Sequence, residues 1–444
     1  MDEALEPAAA ATLPDAVEVP LVFQAGNAVR PGSFYIPRAA DRELKEVLER
    51  GDAAYVLAPR QIGKSSLRVR VAAELEQLGI RCAQVDLSHI VEMGDAVFYR
   101  TLCSKLAEEL HLQIDVEHFF QEQGGIAAAE SLLRFLRQEV MTRVPGRVVV
   151  FLDEIDATLS RALARDDFFA ALRQVGNERA RVPEWERLTF CLLGVATPAE
   201  LMSDPARTPF NSAIGIWLLD FTTEEALAFG PGLAKLPGGG APWLSAVMEW
   251  TGGHPYMTQR LCAVLADLAV ELDRTEPSAV VERLVAEYFL ERDEPNLTYA
   301  ERRLREREVP GGLPAALGLY RRLLKGAEPS LVEESGAQMA LRLAGLAALR
   351  RGEDGLHLAV RNRIFARAYD ENWVREREGG SLLMTSRRQW EEAGRNEALL
   401  LRGPALDQAT AVSTASAGRK TATLGIARRA ASSASVARLR SLPS

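Results

Sequence analysis

Cysteine is scarce: Cys82, Cys103, Cys191 and Cys262 are all that 444 residues contain, and no two of them form a CxxC pair. That spacing excludes a disulfide-stapled scaffold and a CxxC-type zinc site, and it suits a reducing compartment. Long hydrophobic runs are also missing. No window approaches the roughly 20 consecutive apolar residues that a membrane helix needs. The opening Met1-Asp2-Glu3-Ala4-Leu5-Glu6 is acidic, whereas a secretory leader needs a basic start and an apolar core. The expectation is a cytoplasmic protein with no membrane partner. Apolar residues at 47% and charged residues at 26% exclude a wholly disordered or collagen-like chain. The length suits two to four domains of roughly 100–200 residues.

Excess positive charge is lacking as well. Lys and Arg number 53 against 61 Asp and Glu, for a net charge of −8. The last 44 residues carry seven basic side chains (Arg402, Arg419, Lys420, Arg428, Arg429, Arg438, Arg440) against Asp407 alone. That tail is +6, which leaves −14 on residues 1–400. So acidic a body repels backbone phosphates and is a poor general nucleic-acid binder.

What is present is an alternation. Residues 1–20 hold four consecutive alanines, three prolines and five acids, and read as disordered. Strand-like apolar runs then fall at 53–57, 82–86, 148–152, 188–193 and 216–219. Helix-period segments separate them near 64–78, 95–111, 128–143 and 166–180. Short apolar strands alternating with helices imply an α/β fold with a parallel sheet covered on both faces. Beyond Asp220 the pattern turns helical, broken at Pro237-Gly238-Gly239-Gly240 and at Thr251-Gly252-Gly253-His254-Pro255. Residues 300–375 read as a further small domain. Its helices at 314–324 and 339–350 precede a glycine turn and the alternating Leu356-His357-Leu358, a winged-helix pattern. The stretch 410–444 is rich in Ala, Ser, Arg and Thr without an apolar face and reads as disordered.

The first strand runs into Ala58-Pro59-Arg60-Gln61-Ile62-Gly63-Lys64-Ser65-Ser66-Leu67, the spacing of a P-loop with Ala58 in place of the first glycine. Such a loop curls backbone N–H groups around an anion at a helix N-terminus. Ala58, Gln61, Ile62 and Gly63 form the cradle, with Ser66 beside them. Lys64 reaches the β and γ phosphates, and the Ser65 hydroxyl coordinates Mg²⁺. The strand 148–152 ends in Asp153 and Glu154 about 90 residues later. Buried acids at a strand end are costly unless they meet a cation or a proton. Asp153 is the candidate second Mg²⁺ ligand, and Glu154 the candidate base that activates water. Together the two motifs point to ATP or GTP. After the fourth strand, Thr197 is either a γ-phosphate sensor or a helix cap. Arg207 is more often a solvated loop arginine than a phosphate contact.

These residues resemble the AAA-like branch of the STAND (signal-transducing ATPases with numerous domains) P-loop NTPases. Arg60 to Leu67 and Phe151-Leu152-Asp153-Glu154-Ile155-Asp156 are similar to that family's two Walker motifs. Leu193 to Pro198 and Arg207 to Asn211 also match. The resemblance implies that the box Tyr35 to Leu44, with Arg38, packs near adenine. It implies further that Pro255, in Gly253-His254-Pro255, contacts the base from a helical lid. Val360 to Phe365 through Trp373-Val374 looks like the family's winged-helix end, and 376–409 like a linker that precedes an effector or repeat domain.

The expected layout is therefore a disordered 1–21, a P-loop ATPase domain over 22–222, a helical lid over 223–299 and a winged-helix domain over 300–375. A linker at 376–409 and a disordered basic tail at 410–444 follow. The expected cofactors are ATP or ADP and Mg²⁺. Expected partners are the nucleotide and an unidentified protein, with self-association open. DNA binding is not favoured, because residues 300–375 carry only fourteen basic side chains against ten acidic. The expected function is a nucleotide-switched signalling ATPase with slow, regulatory hydrolysis. Its rivals are a DNA-binding initiator or regulator and a nucleotide-locked scaffold.

Overall fold

The computed structural model describes residues 34–378 together with 23, 25 and 26, with gaps at 91–93, 161–164, 203–207, 270–271, 273–275, 307–308, 310–311 and 328–334. The expectations for 1–21, for 410–444, for nearly all of 376–409 and for Arg207 lie outside these residues. Among the described residues no helix is long and apolar enough to cross a membrane.

A five-stranded parallel sheet organises the first half. Its strands are β1 (Ala54–Leu57), β2 (Arg81–Asp86), β3 (Val148–Asp153), β4 (Leu188–Gly194) and β5 (Ile214–Gly215), in the spatial order β2-β3-β4-β1-β5. β3 and β4 are buried along their whole length, as expected of strands with helices on both faces. Their side chains alternate between two cores. Val148, Val150 and Leu152 enter the core on one face, and Val149 and Phe151 enter the core on the other. Helices α1 (Ala39–Arg50) and α2 (Lys64–Gln77) cover the second face. The first face is covered by α3 (Asp95–Glu109), α4 (Val116–Glu122), α5 (Ala128–Phe135), the short α6 (Met141–Arg143) and α7 (Arg165–Asn177).

The fifth strand corrects the expected run at 216–219. Pairing occupies Ile214 and Gly215 and ends as Ile216 N–H donates to Tyr55 O at 2.9 Å. Ile216 and Leu218 are buried all the same. The apolar run records burial of an extended segment that leaves the sheet edge, without a ladder.

Short α8 (Pro198–Leu201) and α9 (Thr223–Ala226) lead to a helical region: α10 (Gly240–Thr251), α11 (Pro255–Leu268), α12 (Pro277–Val285) and α13 (Pro295–Glu306). Helix α13 runs across the 299/300 division. Then come α14 (Leu313–Leu324), α15 (Gly336–Ala344), the antiparallel hairpin β6 (Ala347–Gly352) and β7 (Gly355–Val360), and α16 (Arg363–Ala368). The expected helix 339–350 is thus corrected, since it stops at Ala344. Gly345 has φ 87° and caps the last carbonyls with its own N–H, a left-handed stop that a side chain resists. The buried Ala347 to Leu349 continue as strand.

One buried carboxylate joins the halves. Asp220 accepts from Arg361 Nη2 and from Arg350 Nη1, both at 2.8 Å, and Asn362 Nδ2 donates to Thr251 O at 2.8 Å. Burial alone would raise the Asp220 pKa, yet Arg361 and Arg350 hold the carboxyl below its usual range. Nearby, Gly253 (φ 79°) packs so closely that a Cβ would lie 2.0 Å from Phe221 O. Phe221 N–H donates to Gly253 O at 2.9 Å, so only glycine fits this turn.

Candidate functional site

The cradle lies where β1 ends and α2 begins. Ala58 N–H donates to Gly194 O at 3.1 Å and ties the loop to β4. Gln61 and Gly63 take left-handed conformations (φ 56° and 99°). For Gln61 that conformation costs on the order of 1–3 kcal/mol, which surrounding contacts must offset. A Cβ on Gly63 would meet Arg38 Nη2 at 2.8 Å. Arg38 is itself buried, donating from Nη1 to Ile62 O (2.8 Å) and Leu219 O (3.1 Å), with its guanidinium 5.3 Å from the centre of the Phe221 ring. Asp41, at the start of α1, accepts from Arg38 N–H and from Tyr35 Oη.

Lys64 is buried, and its Nζ donates to Ala58 O (3.0 Å) and Pro59 O (3.1 Å). Backbone carbonyls offer only partial negative charge, and burial pushes the Lys64 pKa down against the pull of Glu154 and Asp153. A cation held this way is ready for a stronger anion. Ser65 Oγ donates to Asp153 Oδ2 at 3.4 Å, and Arg68 Nε lies 3.6 Å from the same oxygen. Hydroxyl and carboxylate oxygens are the hard ligands Mg²⁺ takes when it keeps waters and phosphate oxygens. Among the described residues no group of three or more His, Cys, Asp or Glu could hold a metal alone. The residues present therefore fit a metal that arrives with a phosphate.

Glu154 has φ 54° and donates its N–H to Asp153 Oδ1 at 2.9 Å. Burial raises its pKa, with Lys64 opposing and Asp156 and Asp153 adding to the rise. A carboxylate pushed upward is a better base.

One expected contact has an alternative partner. Thr197 is buried and closes a capping box on α8. Its Oγ accepts from Glu200 N–H at 3.0 Å, while its own N–H donates to Glu200 Oε2 at 2.7 Å. Pro255 is the buried first residue of α11, behind His254. Burial and then Arg361 depress the His254 pKa to about 3, with Asp220 opposing, so this imidazole is neutral. Ser66 is buried beside Lys64 on α2.

Sequence reasoning missed helix α13. Asn296 Nδ2 donates to Gln61 Oε1 and, at 2.8 Å, to Glu294 Oε1. The Arg60 guanidinium sits 4.8 Å from the centre of the Tyr299 ring, and Arg303 pairs with Glu200. From α15, Arg342 Nη1 donates to Leu57 O at 2.7 Å, at the mouth of the loop. Pro295 at N1 is a local signal, and it marks a helix start without naming a partner. A cavity of about 890 Å³ lies on the other side of Arg38, lined by Trp217, Leu219, Leu244 and Met248 among others but by neither Lys64 nor Ser65. The paired charges and strained backbone lie at the loop, so the chemistry is assigned there.

Three comparisons complete the site. A family model described as an AAA-like domain matches residues 23–305. A curated relative, described as an uncharacterized WD repeat-containing protein of Synechocystis sp., is 33% identical over 395 residues. The alignment covers 85% of this chain and 32% of the relative, so the chain spans about a third of that protein's length. A solved Walker-type ATPase of Pyrococcus abyssi superposes with TM-score 0.50 at 14% identity, covering 78% of this chain and 99% of the other. That likeness shows a shared fold. With its family model matched over well more than half its length, the chain belongs to the AAA-like domain family.

Proposed function

We propose that this member of the AAA-like domain family is an ATP-binding, slowly hydrolysing molecular switch of the STAND kind. The observation that carries the reading is Lys64. It is a buried ammonium inside a strand–loop–helix turn, held by two carbonyls, with the Ser65 hydroxyl and the Asp153 carboxylate side by side. Mg²⁺, when bound, would supply positive charge against the phosphates. Ser65 and Asp153 would hold it. Backbone N–H groups from Gln61 to Ser66 cradle the phosphates, Lys64 exchanges carbonyls for phosphate oxygens, and Glu154 takes the proton of the attacking water. Arg38 and Pro255 are proposed to border the base side, between the loop and the helical lid.

Residues 300–375 are proposed as a winged-helix module, supported by the order α14, α15, β6, β7 and α16. Its contacts to the loop mouth through Arg342 and to Asp220 through Arg350 and Arg361 would let nucleotide exchange shift domain packing. The WD repeats named in the relative suggest that a switch of this type acts beside a protein-recognition region.

On the full chain, Mg-ATP should raise the melting temperature, by an amount equivalent to about 2.7 kcal/mol at one hundred times Kd. Glu154→Gln should bind ATP as tightly and turn it over about 10²–10⁴-fold more slowly. No thermal shift with any nucleotide would sink the assignment, and equal single-turnover rates would move the base elsewhere.

A further inference from the structure

Helix α13 touches both walls of the phosphate cradle. On one side Asn296 holds Gln61 and Tyr299 stacks on Arg60. On the other, Arg303 Nη2 reaches both Glu200 oxygens, at 3.2 and 2.8 Å. The side chains of Arg303 and Glu200 are 6% and 10% exposed, so their attraction is little screened by water. The oxygen that takes the shorter contact, Glu200 Oε2, also accepts from Thr197 N–H.

The chemistry of this relay is specific. A capping hydroxyl accepts with its oxygen and keeps its proton for another acceptor. Thr197 follows β4, the strand between β3, which ends in Asp153, and β1, which enters the loop. In the proposed site, a γ-phosphate would lie at this end of the central strands. The capping box fixes the Thr197 rotamer, and Arg303 fixes the box by clamping the Glu200 carboxylate.

We propose that Arg303 is a positioning residue for triphosphate recognition, acting through Glu200 to hold the Thr197 hydroxyl ready for the γ-phosphate. The inference rests on reading the cradle as the ATP site. It adds a residue from outside the sheet domain that separates ATP from ADP. Because coupling free energies are reciprocal, a bound γ-phosphate tightens the docking of α13 by the same factor.

The test is calorimetry on the full chain with Mg-ADP and with the Mg complex of a non-hydrolysable β,γ-imido ATP analogue. For Arg303→Gln, the diphosphate Kd should stay within about twofold, while the triphosphate Kd rises about five- to tenfold, at the low end of typical coupling between sites. Arg303→Lys should restore most of the difference. Thr197→Val should show the same selective loss, and adding Arg303→Gln to it should cost nothing more. Should Arg303→Gln fail to fold around an unpaired buried Glu200, the double variant Glu200→Gln, Arg303→Met leaves no buried charge and is read the same way. Equal weakening toward both nucleotides would show that the ion pair only docks the helix, and additive losses with Thr197→Val would break the relay. Both results overturn the inference while sparing the site. A wild-type chain that binds neither nucleotide overturns the site, and the inference with it.

Discussion

Arg38 Nη1 donates both to Ile62 O in the cradle and to Leu219 O beside the domain joint, and the two buried charge clusters it links are built on opposite terms. At the domain joint, Asp220 meets two guanidinium groups at 2.8 Å and its pKa is pulled down. At the cradle, Lys64 meets only carbonyls and its pKa is pushed down, while Glu154 is pushed up. In the first cluster the two guanidinium groups outweigh burial and favour the charged form of the carboxylate, although burial also lowers the Arg361 pKa. In the second, each group is held in a state that burial disfavours. The joint carboxylate is paired with opposite charge, whereas Lys64 is met only by carbonyls. Perturbation that opposes the resting charge is a mark of functional sites, where structure elsewhere offsets the cost.

The most direct way to break this contrast is Asp220→Ala. It leaves Arg361, whose side chain is 3% exposed, without a counter-charge, and removing one member of a buried pair costs about 3–5 kcal/mol. Urea unfolding of the full chain should show a midpoint lowered accordingly. A midpoint unchanged within error would mean that water or another group replaces the carboxylate and that the joint is not the structural cluster described.

The cradle should respond the other way round. Lys64→Met removes a buried ammonium that burial disfavours and keeps its length, so the ligand-free protein should stay within about 1.5 kcal/mol of wild type, about the cost of a tolerated volume-conserving change. Mg-ATP affinity should fall at least about a hundredfold, or about 2.7 kcal/mol. Calorimetry and melting on the same sample separate the two effects. A variant that melts several degrees lower yet still binds would exchange the roles assigned to the two clusters.

How much of this was legible in the sequence depends on distance along the chain. The loop from Ala58 to Ser66 and the strand ending in Asp153 and Glu154 are contiguous patterns, and the four longer strands follow hydrophobic runs. The fifth did not, because burial of Ile216 and Leu218 mimics a strand where the sheet edge offers no partner. Helix α15 ends at Gly345 inside an apolar stretch that still reads as helix. Asn296 and Gln61 are 235 residues apart, and no local period announces such a pair. Thr197 lies between these cases, since Thr-x-x-Glu spells a capping box in four residues, and the structure shows that cap. The ion pair that anchors the cap comes from Arg303, 103 residues away.

The smallest expected effect is the sharpest on sign. A carboxyl whose folded pKa is depressed, such as Asp220, contributes stability at pH above its ordinary value and loses it as pH falls through the folded one. Glu154 is raised, first by burial and then by Asp156 and Asp153, with Lys64 in opposition. Its folded form binds a proton more readily than the unfolded chain does, so acidification from neutral pH favours the fold at this residue. Glu154→Gln takes no proton. It should therefore melt slightly above wild type at pH 8, where wild type still carries the buried charge. The gap should close as pH falls through the raised Glu154 pKa, where wild type becomes neutral too. Asp220 titrates below its ordinary range in both proteins and cancels from the difference. Melting temperatures of the pair at four or five values between pH 8 and pH 4.5 measure the gap directly. A gap that widens on acidification would place Glu154 among the paired charges, with Asp220, and the division between joint and cradle would fail at this residue.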